Sequence, residues 1–167
     1  NASMATLEVS GVNDDAIDAI LRMAEIAEAQ GRSSVGGVKV QVGSEWQSIS
    51  ITAIEDFEEV RINRITPIYA VDGKPDFGAE QTRWPGKEEI VLERGSLNAA
   101  DALPEDLKVG DTLTLETADG KVRTVRVVGT VYDPNSFPSA FTGSANAYVN
   151  FETLEYLGGA REYTQIE

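Results

Sequence analysis

The sequence predicts an α+β class, an antiparallel β-rich domain with an amphipathic helix near its start and a short helix near its end. Three observations carry this. Residues 14–29 repeat apolar side chains at three- and four-residue spacing, the period of a helix. Two later stretches alternate apolar and polar residues on either side of turn residues, the mark of β-hairpins. The order of helix, strands and helix lacks the β-α-β alternation that a parallel sheet requires.

Taken in order, Asn1-Ala2-Ser3-Met4 reads as a remnant of an expression vector and is set aside, leaving 5–167 as a single domain. From Asp14 to Ala29, Ile17, Ile20, Leu21, Ala24, Ile26 and Ala27 form an apolar face between acidic residues. Asn13 is placed to cap this helix, Asp14 and Asp15 complement the positive end of its dipole, and Gly31 stands where a C-cap glycine belongs.

Val38 to Val42 alternates, Gly43-Ser44 turns, and Trp46 to Ile54 alternates again, which predicts a first hairpin. The acidic run Glu55-Asp56-Phe57-Glu58-Glu59 interrupts it, and Val60, Ile62 and Ile65 resume an extended pattern that Pro67 limits. Residues 69–86, with Asp72-Gly73, Lys74-Pro75 and Trp84-Pro85-Gly86, read as loop. Ile90-Val91-Leu92 predicts a short strand, and Ser96 a cap for a brief helix from Leu97 to Ala102 that Pro104 ends. Thr112 to Glu116, the turn Ala118-Asp119-Gly120 and Val122 to Val128 predict a second hairpin. After a second loop, Asp133 to Phe141, comes a strand at Ala147-Tyr148-Val149. Asn150 then caps a helix from Phe151 to Leu157, which Gly158-Gly159 stops.

Composition restricts function before any motif is considered. At 167 residues, with 41% hydrophobic and 25% charged residues, the chain has the size and balance of one folded domain. Fourteen Lys and Arg against 28 Asp and Glu give a formal net charge of −14. Scattered cations among carboxylates argue against nucleic acid, and the same excess opposes docking on an anionic lipid surface without an apolar anchor. Cysteine and histidine are both absent, which removes disulfides, thiolate metal sites, and the commonest metal ligand and general base. No apolar run of about 18 residues is present in this sequence.

No pattern for bond chemistry emerges. Glu55, Asp56, Glu58 and Glu59 form the densest carboxylate cluster, but their spacing fits no calcium loop, and a solvated charged bend is expected. Asp72, Asp76 and Asp133 stand in turns, where aspartate bonds its own backbone. There is no nucleophile elbow, no Ser–Lys pair at helical spacing and no phosphate-cradling glycine loop. The reading is therefore not an enzyme, with no catalytic, metal or cofactor-binding residues and no cofactor. The candidates that remain are large residues on loops: Trp84 in the first, and Phe137, Pro138 and Phe141 in the second, as contacts for a partner.

Several of these segments resemble a known family. Lys108-Val109-Gly110-Asp111-Thr112-Leu113-Thr114-Leu115 followed by Val125-Arg126-Val127-Val128-Gly129-Thr130-Val131 is similar to a paired pattern in the outer domains of MacB-like and FtsX-like ABC-transporter permeases. Glu89-Ile90-Val91-Leu92-Glu93 with Ser96-Leu97, and Tyr148 to Leu154, resemble the family's strand-helix units before and after it. The resemblance covers the second half of the chain. The first helix and hairpin match in order and not in signature residues.

The resemblance implies an extracytoplasmic domain inserted between the first two transmembrane helices of a permease. It would have two lobes, a porter-like one at about 5–63 and 129–167 and a β-rich insertion at about 64–128. The implied partners are the transmembrane helices of the same parent chain, a cytoplasmic ATP-binding subunit acting through them, and a second permease copy or paralogue. The implied role is to transmit conformational change, or to contact substrate or partner, outside the membrane. The alternative is a free-standing extracytoplasmic module that binds peptide or glycan through the Trp84 and Phe137–Phe141 loops.

Overall fold

The computed structural model describes residues 5–68, 82–99 and 101–167, apart from the side chains of Asn98 and Ala140. Among the described residues, ten strands and three helices appear in the order β1 (Leu7–Val12), α1 (Asp14–Leu21), β2 (Gly31–Val35), β3 (Lys39–Val42), β4 (Glu45–Ala53), β5 (Thr66–Pro67), β6 (Glu89–Glu93), β7 (Thr112–Glu116), β8 (Val122–Tyr132), α2 (Ser139–Thr142), β9 (Ala145–Val149), α3 (Phe151–Tyr156) and β10 (Tyr163–Ile166). Strands thus dominate, with short helices, as an α+β class requires.

Six strands close on themselves in the order β4-β3-β7-β8-β6-β9, with β9 returning to pair β4. Strand closure hides every edge of the ring, which leaves its apolar faces to fill one interior. Val40, Ile49, Ile51, Ile90, Leu92, Leu113, Leu115, Val125 and Val127 fill it, all at most 5% exposed. These are alternate residues of their strands, so the period-two pattern of the sequence sorts inside from outside.

β2 and β3 act as one strand along the same edge of β4. Val35 faces Ile51 and Lys39 faces Ser48, so the register slips by one residue across Gly36-Gly37. Gly37 takes φ +74, where a glycine costs least. Beyond this bulge the paths diverge: β3 continues into the ring through β7, while β2 pairs β10, which pairs β1. Leu7 lies opposite Ile166, so the first and last strands run side by side.

A second apolar cluster covers the outside of the ring. Ile54, Phe57, Val60 and Ile65, from the segment after β4, pack on Val91, Val128, Val131 and Tyr148. β8 faces both clusters because successive strand residues point to opposite sides, Val127 inward and Val128 outward, and the register shift opposite the Ile90–Val91 step keeps Val131 on the outer side with Val128.

The structure departs from the sequence reading at several points. The sheet is not purely antiparallel: β4 pairs β9 in parallel, and so do β6 and β8. Both pairs join strands far apart in the chain, which local alternation cannot register. α1 ends at Leu21, not Ala29, and Gly31 begins β2 instead of capping the helix. Gly31 is required there because an added Cβ would meet the Tyr163 ring at 2.3 Å. Asn13 has the extended backbone of a cap residue, but its side chain makes no cap bond and lies 3.4 Å from Asp15 Oδ2. The extended pattern expected at Val60, Ile62 and Ile65 is not a strand: the three are buried in irregular backbone, and the strand there is only Thr66–Pro67.

Instead of a helix from Leu97 to Ala102 there is a 3-10 turn at Arg94–Asn98, capped by Glu93. The Ser96 hydroxyl is drawn into the interior, where it meets Ser139 Oγ at 2.8 Å and accepts the Asn146 N–H. The two predicted hairpins, the strand at Ile90–Leu92, the strand into the last helix, and the Asn150 cap on Thr153 N at 2.9 Å are all present. Residues 1–4 and the turns at Asp72-Gly73 and Lys74-Pro75 lie outside the described residues.

Candidate partner-contact surface

The loop from β8 to β9 is built on its own hydrogen bonds. Asp133 Oδ1 accepts the Asn135 N–H at 2.8 Å, and the Ser136 hydroxyl donates to the Asp133 carbonyl. Asn146 Nδ2 donates to the Phe137 carbonyl at 2.9 Å, and buried Ser139 meets Ser96. This anchoring turns Phe137 and Phe141 outward, at 78% and 88% exposed, with Pro138 exposed between them. Beside the loop, the Arg94 guanidinium lies 4.2 Å from the centre of the Tyr132 ring.

The structure therefore brings three of the four sequence candidates together and places the fourth apart. Trp84 is half-buried, stacked on Phe57 with ring centroids 4.9 Å apart, and closes the rim of the outer apolar cluster.

Below the Phe137 loop is a polar hollow of about 200 Å³ between Arg32, Thr52, Asp133, Asn146, Tyr148 and Glu167. Alternation places Arg32, Thr52 and Tyr148 on the side of the sheet opposite the ring interior. Arg32, 4% exposed, donates through Nη2 to the carbonyls of Ile62 and Asn63 at 3.0 and 2.7 Å, and its Nε meets Glu167 at 2.8 Å. The Tyr148 hydroxyl donates to Asp133 Oδ2 at 2.5 Å. Burial first, then the Asp133 carboxylate, pushes the Tyr148 phenol above its ordinary value. Glu93, nearby and buried, is raised chiefly by loss of solvent, against the opposing Gly95 N–H bond.

A wider cleft of about 530 Å³ opens between α1, the segment after it and the acidic bend. The Tyr163 hydroxyl stands between Asp14 Oδ1 at 2.8 Å and Glu55 Oε2 at 2.5 Å, with one proton to donate. Burial and these two carboxylates raise its pKa. Within the bend, Asp56 accepts the Glu58 N–H, an Asx turn, and Arg161 approaches Glu55 at 3.9 Å. Among the described residues, no three acidic groups come together as a metal ion would need. The buried Ser96 and Ser139 hydroxyls have as partners each other, the Asn146 amides and a carbonyl, none of which is a base.

Arg32 and Tyr163, which tie strands to loops here, went unnoticed in the sequence. An arginine or tyrosine in an unrecognised strand carries no local signal of burial, and both β2 and β10 lack clear alternation.

No protein-family model matches this sequence, and no curated protein matches it. Solved structures do. The periplasmic region of MacB from Actinobacillus actinomycetemcomitans superposes with a TM-score of 0.50 at 16% identity, over 95% of this chain and 64% of that one. The extracellular domain of the noncanonic ABC-type transporter YknZ from Gram-positive bacteria superposes with a TM-score of 0.49 at 15% identity, over 98% of this chain and 73% of that one. The chain spans slightly less than two thirds of the MacB region. Among the described residues, no helix is long and apolar enough to cross a membrane. From β1 through β10, the chain has the fold of the periplasmic region of MacB.

Proposed function

We propose that this chain is the extracytoplasmic domain of an ABC-transporter permease of the MacB/FtsX-like kind, and that it works without bond chemistry of its own. The observation that carries the reading is a MacB-like fold over 95% of the chain. The order of permease-like segments from Glu89 to Leu154 points the same way. Side-by-side first and last strands suit a domain whose two ends return to one membrane face.

In this reading the domain stands outside the cell membrane. A cytoplasmic ATP-binding subunit moves the transmembrane helices of the parent chain, and the domain passes that motion to a second permease copy, a substrate or an external partner. The exposed Phe137-Pro138 and Phe141 are its contact point for such a partner. The division into a porter-like lobe and a β-rich insertion at about 64–128 is part of the proposal. It is supported by the pairing of Thr66 with Tyr132 and Pro67 with Val131, which brings the two ends of the insertion together. The two lobes would share the interior of the ring, since β3, β4 and β9 join β6, β7 and β8 in it.

The test is the parent gene. An apolar segment of about 20 residues should lie just before the domain and more should follow it. A parent protein without such segments overturns the reading.

A further inference from the structure

The cleft of about 530 Å³ beside α1 combines two features that folding alone disfavours. Apolar lining is left open to water: Leu21 is 42% exposed, Ile17 lines the cleft as well as packing on the main core cluster, and no residue of α1 is buried. Five carboxylates, those of Asp14, Glu28, Glu55, Asp56 and Glu59, share the lining with one cation, Arg61. Open apolar surface in a concave site is the mark of a contact surface, and gathered like charges raise the energy of the cleft as it stands.

Hydrogen bonds between its walls hold the cleft in shape. Gln30 Oε1 accepts the Arg61 and Ile62 N–H groups at 3.2 and 3.4 Å, which ties the connection between α1 and β2 to the acidic bend. The Tyr163 hydroxyl ties α1 to the same bend through Asp14 and Glu55. It has one proton for two acceptors, so two negative charges are held within two hydrogen-bond lengths of each other and one of them lacks a donor there. Arg161, 3.9 Å from Glu55 and with its side chain 56% exposed, supplies only a weak counter-charge. A cation brought from outside therefore gains most between Asp14 and Glu55.

The lining selects the occupant. A metal ion needs several ligands converging on one point, and among the described residues no such group is present. The carboxylates come instead from three segments, α1, the connection to β2 and the bend after β4, interspersed with apolar residues of the same segments. A polyamine would leave the apolar lining wet, and an apolar or acidic ligand would leave the carboxylates without partners. A second copy would bring a further net charge of −14 against them. What matches both features is a peptide with positive side chains on either side of apolar ones. We infer that the cleft binds a cationic amphipathic peptide segment, with its apolar side chains on Ile17 and Leu21 and a Lys or Arg side chain between Asp14 and Glu55. This surface is separate from the Phe137 loop, and the inference does not rest on the permease reading.

The probe is a short amidated peptide of alternating lysine and leucine carrying a fluorescein, titrated with the full chain at physiological salt and read by fluorescence anisotropy. Saturable binding is expected, and the same peptide with serine for leucine should bind about tenfold more weakly. Glu55→Gln with Glu59→Gln should weaken binding about tenfold, and Leu21→Ser about fivefold. Glu45→Gln with Glu105→Gln removes as much charge from exposed positions outside the cleft and should change binding by less than about twofold. Glu55, Glu59 and Leu21 are all exposed, so the variants should keep the urea midpoint of the parent, which the same samples report. No saturable binding of the lysine–leucine peptide overturns the inference. Equal binding of the serine peptide, or an equal loss in the two charge pairs, overturns it in favour of attraction to the net charge alone. Undiminished binding in Leu21→Ser overturns the placement in this cleft. All of these are read on the chain by itself, so they fail separately from the gene test above.

Discussion

Replacing Arg32 with methionine tests the polar clamp beneath the Phe137 loop. Arg32 is 4% exposed and holds three elements at once: its own strand β2, the Ile62 and Asn63 carbonyls, and Glu167 after β10. Methionine keeps much of the volume and deletes the charge and every donor. The Glu167 side chain, 6% exposed, is then left as a buried carboxylate without its cation. Breaking a buried pair from one side costs about 3–5 kcal/mol, more than the attraction itself is worth, because the remaining charge is neither solvated nor paired. For a domain of this length about 4 kcal/mol corresponds to a fall in Tm of about 10 °C.

Urea and thermal unfolding of the two proteins at neutral pH measure the loss. The double variant Arg32→Met/Glu167→Leu should recover most of it, since no buried charge remains and only the two carbonyls lack a donor. A loss below about 1 kcal/mol in Arg32→Met, or a double variant no better than the single one, refutes the reasoning.

Other perturbations address other parts of the fold. Gly31→Ala forces a Cβ into the Tyr163 ring, which is wedged against Phe151 and held by Asp14 and Glu55, and should cost about 1–3 kcal/mol by urea unfolding. Asn150→Ala removes the acceptor for Thr153 N–H and should cost about 1 kcal/mol in the same assay. Glu93→Gln tests pH dependence. Burial raises the folded-state pKa of Glu93 above its ordinary 4.5, so protonation favours the fold below that value and the advantage is lost as pH rises through the raised one. The variant should therefore gain stability relative to the parent as pH rises from 4 to 8, and match it at the acid end. Phe137→Ser with Phe141→Ser should change stability by less than about 0.5 kcal/mol, because both rings already face solvent, while under the proposed function it weakens transport by the parent protein.

What the sequence made legible follows from where its periodicity was clean. β3, β4, β7 and β8 alternate over four or more residues beside recognisable turns, and their interior residues are the apolar members of that alternation. β2, Gly-Arg-Ser-Ser-Val, buries Arg32 and Ser33 and so reads as loop, although it joins the ring to β10. β1 and β10 pair across nearly the whole chain, and no local signal reports such a partner. Ring closure through the parallel β4–β9 pair is hidden for the same reason. At the candidate surface, composition singled out Phe137, Pro138 and Phe141 together with Trp84, but only tertiary structure separates a ring stacked on Phe57 from two that face solvent. The helix over 14–29 shows the converse: its local signal is strong, yet it ends at Leu21 and the residues from there to Glu28 stay exposed.

The central claim is that this domain stands outside the cell membrane as part of a permease. Lys121, on the β7–β8 turn with its side chain 63% exposed, and the cysteine-free sequence allow a direct measurement. Lys121→Cys is introduced into the full-length parent protein, cleared of any other cysteine, and intact cells are treated with a membrane-impermeant maleimide. The account predicts labelling in intact cells at the level reached after permeabilisation. Labelling that appears only once the membrane is opened would contradict it.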